Sequence, residues 1–324
     1  MKVLFAGSPA IAVPALEALV RADGIELSGV LTNPDTPKGR HGTPLPTEVG
    51  EAALKLGIAP ILKPPKLDTF AREQAAELRC DLLVSFAYGR IFGPKFLALF
   101  PLGGINIHPS LLPKYRGPTP VQAAIRNRDT ETGITIQKLA LEMDSGDILT
   151  QEQFELAGTE TAGSLSEIAA GKAALLLLDV LKKIQNGKAD GIPQNSSGIE
   201  ISYCSLISKN DGIIDWKLSA QEIEAKIRAF TPWPLCRTFH NGKELIILKA
   251  NLKVNSFYGI IDKEALGQSD LAGRVLGIDK NNGILIQTGN GILCVTELQY
   301  QSKKALFWRE FLNGARDFEG SLLV

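Results

Sequence analysis

The chain has 324 residues, 44% hydrophobic and 22% charged, which fits a soluble globular protein large enough for two domains. Its 35 basic and 35 acidic residues cancel, so overall charge does not indicate a nucleic-acid partner. Four widely spaced cysteines and three histidines favour neither a disulfide scaffold nor a structural zinc site, and we expect no metal.

The N-terminal apolar run resembles a signal peptide only at first sight. Gly7, Ser8 and Pro9 interrupt it, and Pro14 and Glu17 follow, which predicts a strand, a turn and a helix. No uninterrupted apolar stretch approaches the roughly 20 residues that a membrane span needs. We therefore expect a cytoplasmic protein that does not engage a membrane.

Short apolar strands alternate with helical stretches through the first half of the chain. The predicted strands lie at 3–6, 27–32, 82–86, 104–107 and 133–138. The predicted helices lie at 14–21, 47–56, 94–100, 120–127 and 164–185. This alternation is typical of a parallel sheet covered by helices on both faces, so we predict an α/β domain with a Rossmann-like sheet.

The stretch from 186 to 198, rich in glycine, asparagine and serine, ends this pattern and predicts a linker. We place the first domain at 1–189, the linker at 190–206 and the second domain at 207–324. The second domain carries a predicted helix and several strands, at 219–229, 245–250, 273–278, 283–287 and 292–299. Short strands separated by glycine and asparagine turns predict a small antiparallel β-barrel, for which an OB-like topology is one option.

Asn106 and His108 lie at the end of a predicted strand and, two positions apart, point to the same face. Ligands of open α/β sheets bind beyond the carboxyl ends of the strands. The Asn106 amide can stabilise an oxyanion, and His108 can give a proton or a hydrogen bond to the same oxygen. Asp144 would hold the imidazole and favour its charged form. The alternative for each residue is a turn or capping role.

Two loops near this strand end carry basic residues. Lys114 and Arg116 belong to a stiff, proline-containing loop, and loops of this kind usually shape a pocket. The alternative for the two basic side chains is that they lie on solvated surface. The 33–49 stretch contains Lys38 and Arg40 and is too long for an ordinary βα connection. A long basic loop suits a partner with phosphates, although a surface excursion explains the composition nearly as well.

Several segments resemble the folate-dependent formyltransferases. NIHPSLLPKYRG at 106–117 with DSGD at 144–147 is similar to the family signature, and FAYGRI at 86–91 is similar to its folate-site loop. SKNDGIIDW at 208–216 and RAFTPWP at 228–234 resemble the branch of the family that acts on methionyl-tRNA. The resemblance covers essentially the whole chain.

The resemblance implies transfer of a formyl group from 10-formyltetrahydrofolate to the α-amino group of methionine on initiator tRNA. It implies that Asn106 and His108 stabilise the oxyanion and that Asp144 pairs with His108 and assists proton shuttling through water. The folate contacts that it implies are Phe86, Tyr88, Arg90, Ile91, Ser110, Leu111, Leu112 and Pro113.

The resemblance also implies tRNA binding by the second domain and by Lys38 and Arg40. Separately, we expect a monomer. The loop holding these two residues is less basic than expected for the family, since 41–43 is His-Gly-Thr. This departure weakens the expected grip on tRNA.

Three alternatives remain open. One is a formyltransferase acting on a sugar amine or a purine-pathway amine, and another is a formyltetrahydrofolate hydrolase that uses water in place of the amine. The third is a non-catalytic RNA-binding module. The PWP segment and the proline-rich 33–49 loop favour tRNA over a sugar, whereas the trio of Asn106, His108 and Asp144 argues against a mere binding module.

Overall fold

The structure is a computed structural model that describes residues 1–37, 42–253, 258–259 and 271–324. The chain divides into two compact units. The first comprises Met1–Val121, Glu131–Leu156 and Ser164–Leu206, and the second comprises Gln122–Thr130, Ala157–Gly163 and Ile207–Val324. The 190–206 segment, which the sequence predicts as a linker, is counted with the first unit. In the described ranges, no helix is both long enough and apolar enough to cross a membrane.

The first unit is built on a mixed β-sheet. Its strands are β1 (Lys2–Gly7), β2 (Glu26–Leu31), β3 (Thr36–Pro37), β4 (Pro44–Leu45), β5 (Ile61–Leu62), β6 (Leu82–Phe86), β7 (Gly104–His108), β8 (Glu131–Lys138) and β9 (Ile148–Glu155). In the described residues, β3 and β4 pair only with each other, and the others follow the order β5-β2-β1-β6-β7-β8-β9. The chain extends first to one side of β1 and then to the other, which is the topological switch of doubly wound sheets.

Five strands of this sheet, β5, β2, β1, β6 and β7, run parallel, which confirms the predicted Rossmann-like architecture. The last two strands differ from the prediction. β8 runs antiparallel to β7. The chain leaves β7 after His108 and enters β8 at that same end of the strand, so that Thr135 lies opposite His108. β9, which the sequence did not reveal, pairs antiparallel with β8.

Helices cover both faces of the sheet. They are α1 (Val13–Val20), α2 (Glu48–Lys55), α3 (Thr69–Glu77), α4 (Pro94–Leu97) and α6 (Ala162–Gln185), whereas α5 (Pro120–Arg126) belongs mostly to the second unit. One core lies between the sheet and α1, α2 and α6, and it includes Phe5 and Ile107. The other core contains Leu4, Tyr88 and Phe96. Successive strand residues enter opposite cores because strand side chains alternate between the two faces.

The second unit carries an antiparallel sheet. Its strands are β10 (Cys236–His240), β11 (Lys243–Asn251), β12 (Tyr258–Gly259), β13 (Val275–Asp279), β14 (Gly283–Gln287), β15 (Ile292–Tyr300) and β16 (Leu306–Phe307). The order within the described residues is β10-β11-β15-β14-β13-β12, with β16 also on β15. Two helices accompany it, α7 (Ala220–Ala229) and α8 (Trp308–Gly314).

The last residues of the chain join the two sides of this sheet. The backbones of Phe239 and Val324 exchange hydrogen bonds of 2.8 and 3.1 Å, which ties the tail to β10. The amide of Leu323 donates to the Gly273 carbonyl, and that of Val275 donates to Ser321, which ties the tail to β13. The tail thus closes the sheet into a barrel, and the predicted small antiparallel barrel is confirmed.

Candidate active site

Strand β7 presents Asn106 and His108 together on one face of the sheet. Ile105 and Ile107 alternate with them and enter the core beneath α6, so the apolar positions fix which way the polar pair points. In the pairing of β7 with β8, Asn106 lies opposite Gln137. The sequence therefore orients the pair through its apolar neighbours.

The Asp144 carboxylate is the point at which the polar side chains meet. Its Oδ1 accepts from Asn106 Nδ2 at 3.3 Å and from Gln137 Nε2 at 3.0 Å. Its Oδ2 accepts from the Gly117 amide at 2.8 Å and lies 3.6 Å from His108 Nδ1. The structure thus brings the predicted trio together, with the Asp144 side chain 13% exposed.

Burial decides the charge of His108. It is the largest effect on the imidazole and lowers its pKa below the usual value of 6.5. Asp144 acts in the other direction, as expected from the sequence, and so does the hydrogen bond with the Tyr115 carbonyl, but burial outweighs both. The ring is therefore neutral near pH 7, rather than charged.

The contacts of His108 assign its hydrogen. A neutral imidazole carries one N–H, and a carbonyl oxygen can only accept. The 2.9 Å contact between Nε2 and the Tyr115 oxygen places that hydrogen on Nε2. Nδ1 is then the unprotonated nitrogen, and it faces the Asp144 carboxylate.

Two glutamines and an arginine complete the site, although the sequence did not single out the glutamines. Gln137 is buried on β8, and its alternation with Ile134 and Ile136 is the signal that could have revealed it. Gln194 is buried and accepts from Arg116 Nη2 at 2.7 Å. Its linker-like surroundings gave no such signal. Arg116 itself is buried, so the solvated-surface alternative is wrong for it.

Buried hydrogen bonds fix the conformation of the 110–113 loop. The Ser110 hydroxyl donates to the Lys114 carbonyl at 2.6 Å, and Ser110 and Leu112 are fully buried. Thr135 supports both, since its hydroxyl donates to the Ser110 carbonyl and accepts from the Leu112 amide. Pro113 is also buried and Leu111 is half-buried, so these side chains shape the loop more than they face solvent.

The 86–91 segment leaves the carboxyl end of β6. Phe86 and Tyr88 are buried in the two cores, whereas Ile91 is 65% exposed. The half-buried Arg90 donates from Nη1 to the Pro64 carbonyl. Asn33, which follows β2, donates from Nδ2 to the Tyr88 carbonyl at 3.0 Å and thereby fixes the segment beside the ends of neighbouring strands.

The two predicted tRNA contacts, Lys38 and Arg40, lie outside the described residues.

Family models match almost all of the chain. The formyl transferase model matches residues 1–181, and the model of the formyl transferase C-terminal domain matches residues 206–316. The chain belongs to the formyl transferase family. A formyltransferase is an enzyme, and the sequence-based prediction of a formyl-transferring enzyme is confirmed.

Among the relatives of this formyltransferase, the methionyl-tRNA formyltransferase of Treponema denticola is 49% identical over 98% of both chains. An N-formyltransferase from Helicobacter canadensis, solved with folinic acid and dTDP-3-aminofucose, has a TM-score of 0.63 at 23% identity, over 91% of this chain and 99% of that chain.

HypX from Aquifex aeolicus, solved with tetrahydrofolic acid, has a TM-score of 0.61 at 17% identity and covers 96% of this chain. This chain spans about half the length of HypX, 47%. At these identities the two solved structures establish the shared fold.

Proposed function

We propose that this formyltransferase transfers the formyl group of 10-formyltetrahydrofolate to the α-amino group of methionyl-tRNA. The observation that carries the choice of acceptor is the 49% identity, across nearly the full length of both chains, to a methionyl-tRNA formyltransferase. The sugar N-formyltransferases among the solved structures are similar only at the level of the fold.

Asn106 is proposed to stabilise the charge that develops on the formyl oxygen. An amide NH2 has two donor hydrogens, and the 3.3 Å contact to Asp144 uses one of them. The second is available for an oxygen that gains negative charge as the amine attacks the formyl carbon. Asp144 holds the amide in place without blocking this donor, and Gln137 in turn donates to the Asp144 carboxylate.

His108 is proposed to accept a proton through Nδ1. The attacking amine forms a bond to the formyl carbon and loses one proton, while the bond from that carbon to N10 of the folate breaks and N10 gains one. A neutral imidazole is ready to receive the first of these protons. Once protonated, Nδ1–H would face Asp144 Oδ2, so the carboxylate stabilises the charged ring where it forms. This assignment replaces the expected role of His108 as a donor to the oxyanion.

The 86–91 segment fits a flat heterocycle such as the pterin ring of the co-substrate. Ala87 and Gly89 are exposed, and Ile91 adds an apolar edge. The buried Asn33 Oδ1, beside the Tyr88 carbonyl, has no hydrogen-bond partner among the described residues. A ring N–H donor would satisfy it. Arg90, Leu111 and the backbone of the 110–113 loop are the proposed further contacts.

One assay tests the proposal. The purified protein is incubated with 10-formyltetrahydrofolate and, in separate reactions, with initiator methionyl-tRNA, elongator methionyl-tRNA and a dTDP-amino sugar. Formylmethionine is expected from the initiator tRNA. Formylation of the sugar alone, or of no acceptor, would contradict the proposal.

His108→Ala is the matched variant for this assay. We expect turnover to fall by about 10² to 10⁴, the range for a lost acid/base or oxyanion group, while the circular dichroism spectrum is unchanged. Unchanged turnover would remove His108 from the mechanism.

A further inference from the structure

The 190–206 segment is fastened to the two loops that form the site. Its Ile192 exchanges backbone hydrogen bonds of 2.8 and 2.9 Å with Ile148, directly after the loop that carries Asp144. Further along, the Ser202 carbonyl accepts from the Arg116 amide at 2.9 Å. Gln194 lies between these anchors, so its backbone position is fixed from both sides.

The Gln194 side chain connects these loops. Its Oε1 accepts from Arg116 Nε at 3.1 Å and Nη2 at 2.7 Å. Its Nε2 donates to the carbonyls of Asp144 and Gly146, both at 2.8 Å, and lies 3.2 Å from Gln137 Oε1. The side chain is enclosed, with the residue 3% exposed, so water does not compete readily for these contacts.

The chemistry of the partners fixes the orientation of this amide. A guanidinium only donates and a carbonyl only accepts, so the oxygen of Gln194 must face Arg116 and the nitrogen must face the loop. A glutamate at this position would keep an acceptor for Arg116, but it would replace the NH2 donor with a carboxylate oxygen that cannot donate to the carbonyls of Asp144 and Gly146. The two functions of the side chain are therefore separable by one substitution.

The contact matters because Asp144 has an unusual backbone. Its φ of 52° lies in the left-handed region, which is uncommon for a residue with a side chain, although aspartate adopts it more readily than most. Gln194 holds the carbonyls on both sides of the turn, at Asp144 and Gly146, and the direction of the carboxylate follows from that backbone.

We propose that Gln194 is a positioning residue of the formyl transfer reaction, setting the Asp144 backbone so that its carboxylate meets Asn106 and His108. It contacts no reacting atom and acts through Asp144. The inference rests on the proposed function, and it extends the site into a segment that the sequence marks only as a linker.

Gln194→Glu is the first test, in the full-length protein. We expect kcat to fall about 10- to 100-fold, as for a catalytic group displaced by about 1 Å, with KM for 10-formyltetrahydrofolate within twofold of the original. The matched control is Gln153→Glu, the same change at an exposed position of β9, which should leave kcat unchanged. An unchanged kcat in Gln194→Glu would overturn the proposal.

A double-mutant cycle separates positioning from general stability. In an Asp144→Asn background, Gln194→Glu should cost less than about twofold in kcat, because the group through which it acts is already lost. Equal fold losses in both backgrounds would show that Gln194 acts on the fold, and the proposal would fail.

The ring-nitrogen NMR shifts of His108 give a readout that needs no acceptor. They are assigned by their loss in His108→Ala and should change in Gln194→Glu but not in Gln153→Glu. If the protein formylates no tRNA, the proposed function fails. The His108 shifts still test whether Gln194 positions Asp144 beside the imidazole. Unchanged His108 shifts would overturn the proposal.

Discussion

Asp144 and Tyr115 both hold left-handed backbone conformations beside His108, with φ of 52° and 60°. Such a conformation costs on the order of 1–2 kcal/mol in a non-glycine residue, and a bulky side chain such as tyrosine adopts it least readily. Both are retained by hydrogen bonds, since the Tyr115 amide donates to Ser202 Oγ and its carbonyl contacts His108. These two positions thus place the Tyr115 carbonyl at Nε2 of the imidazole and the Asp144 carboxylate 3.6 Å from Nδ1.

Asp144→Asn tests the charge of this carboxylate. The groups that contact its oxygens from Asn106, Gln137 and Gly117 all donate hydrogen bonds, so an amide NH2 in the same place would face donors. We expect kcat to fall by about 10² to 10³, because the charged form of His108 loses its stabilising partner. Loss of turnover below tenfold in steady-state kinetics would contradict this role.

The pKa of His108 should respond in a defined direction. Asp144 raises it, so Asp144→Asn should lower the pKa further below 6.5, as measured by NMR titration of the ring. A rise of the pKa in this variant would show that Asp144 does not act on the ring as the geometry indicates.

The same pKa predicts a pH dependence of stability. Because the unfolded chain binds the His108 proton at about pH 6.5 and the folded chain only at lower pH, this residue contributes stability above 6.5 that is lost as pH falls. The free energy of unfolding, from denaturant titration, should fall more steeply below pH 6.5 in the original protein than in His108→Ala. Parallel curves would contradict the lowered pKa.

Gly117 is a glycine that the site requires. Its φ is 119°, and an added Cβ would lie 2.3 Å from the Cys204 carbonyl oxygen, while its amide donates to Asp144. Gly117→Ala should destabilise the fold by about 2–5 kcal/mol and reduce turnover. Gly103→Ala is the control. Gly103 also has a positive φ, 73°, but a Cβ added there would meet no atom within 4 Å. Equal losses in thermal denaturation would assign the effect to φ alone.

The local sequence pattern predicts those helices and strands that have continuous apolar runs or strong capping residues. The predicted 283–287 strand is observed as β14, and α2 begins after Thr47, whose hydroxyl accepts from the Gly50 amide. β9 was missed because its stretch TQEQFE has a single apolar residue and therefore carries little apolar signal at an outer edge of the sheet. Its pairing with β8, rather than its own composition, makes it a strand.

The C-terminal tail is likewise defined by its partners, and it offers a test. Leu323 is 1% exposed, whereas its neighbour Leu322 is 45% exposed. Leu323→Ala should cost about 2–5 kcal/mol of stability, as for other buried leucines, and lower the Tm of the barrel. Leu322→Ala is the matched control and should change Tm little. Equal Tm values for the two variants would show that the tail does not hold the barrel closed.

At the level of the whole molecule, the recognition of tRNA is a proposal, and its predicted contacts rest on sequence alone. Arg40→Ala is expected to raise the apparent KM for tRNA severalfold through loss of one phosphate contact, while KM for 10-formyltetrahydrofolate is unchanged. Lys188→Ala, which removes one exposed cation from the first unit, is the control. Equal weakening toward both substrates would contradict the assignment of Arg40.

Sequence alone was sufficient for the α/β and antiparallel architectures. It also predicted Asn106, His108 and Asp144 as one site, and the structure brings their side chains together, while their roles stay proposals. Apolar periodicity reports burial, and short motifs keep neighbouring residues on one face. Only the tertiary structure decided the direction of β8, the neutral state of His108, and the contacts of Gln194 with Asp144. Each of these depends on segments far apart in the chain. Local pattern does not specify the direction of a strand, the packing around a polar side chain such as His108, or a long-range hydrogen bond.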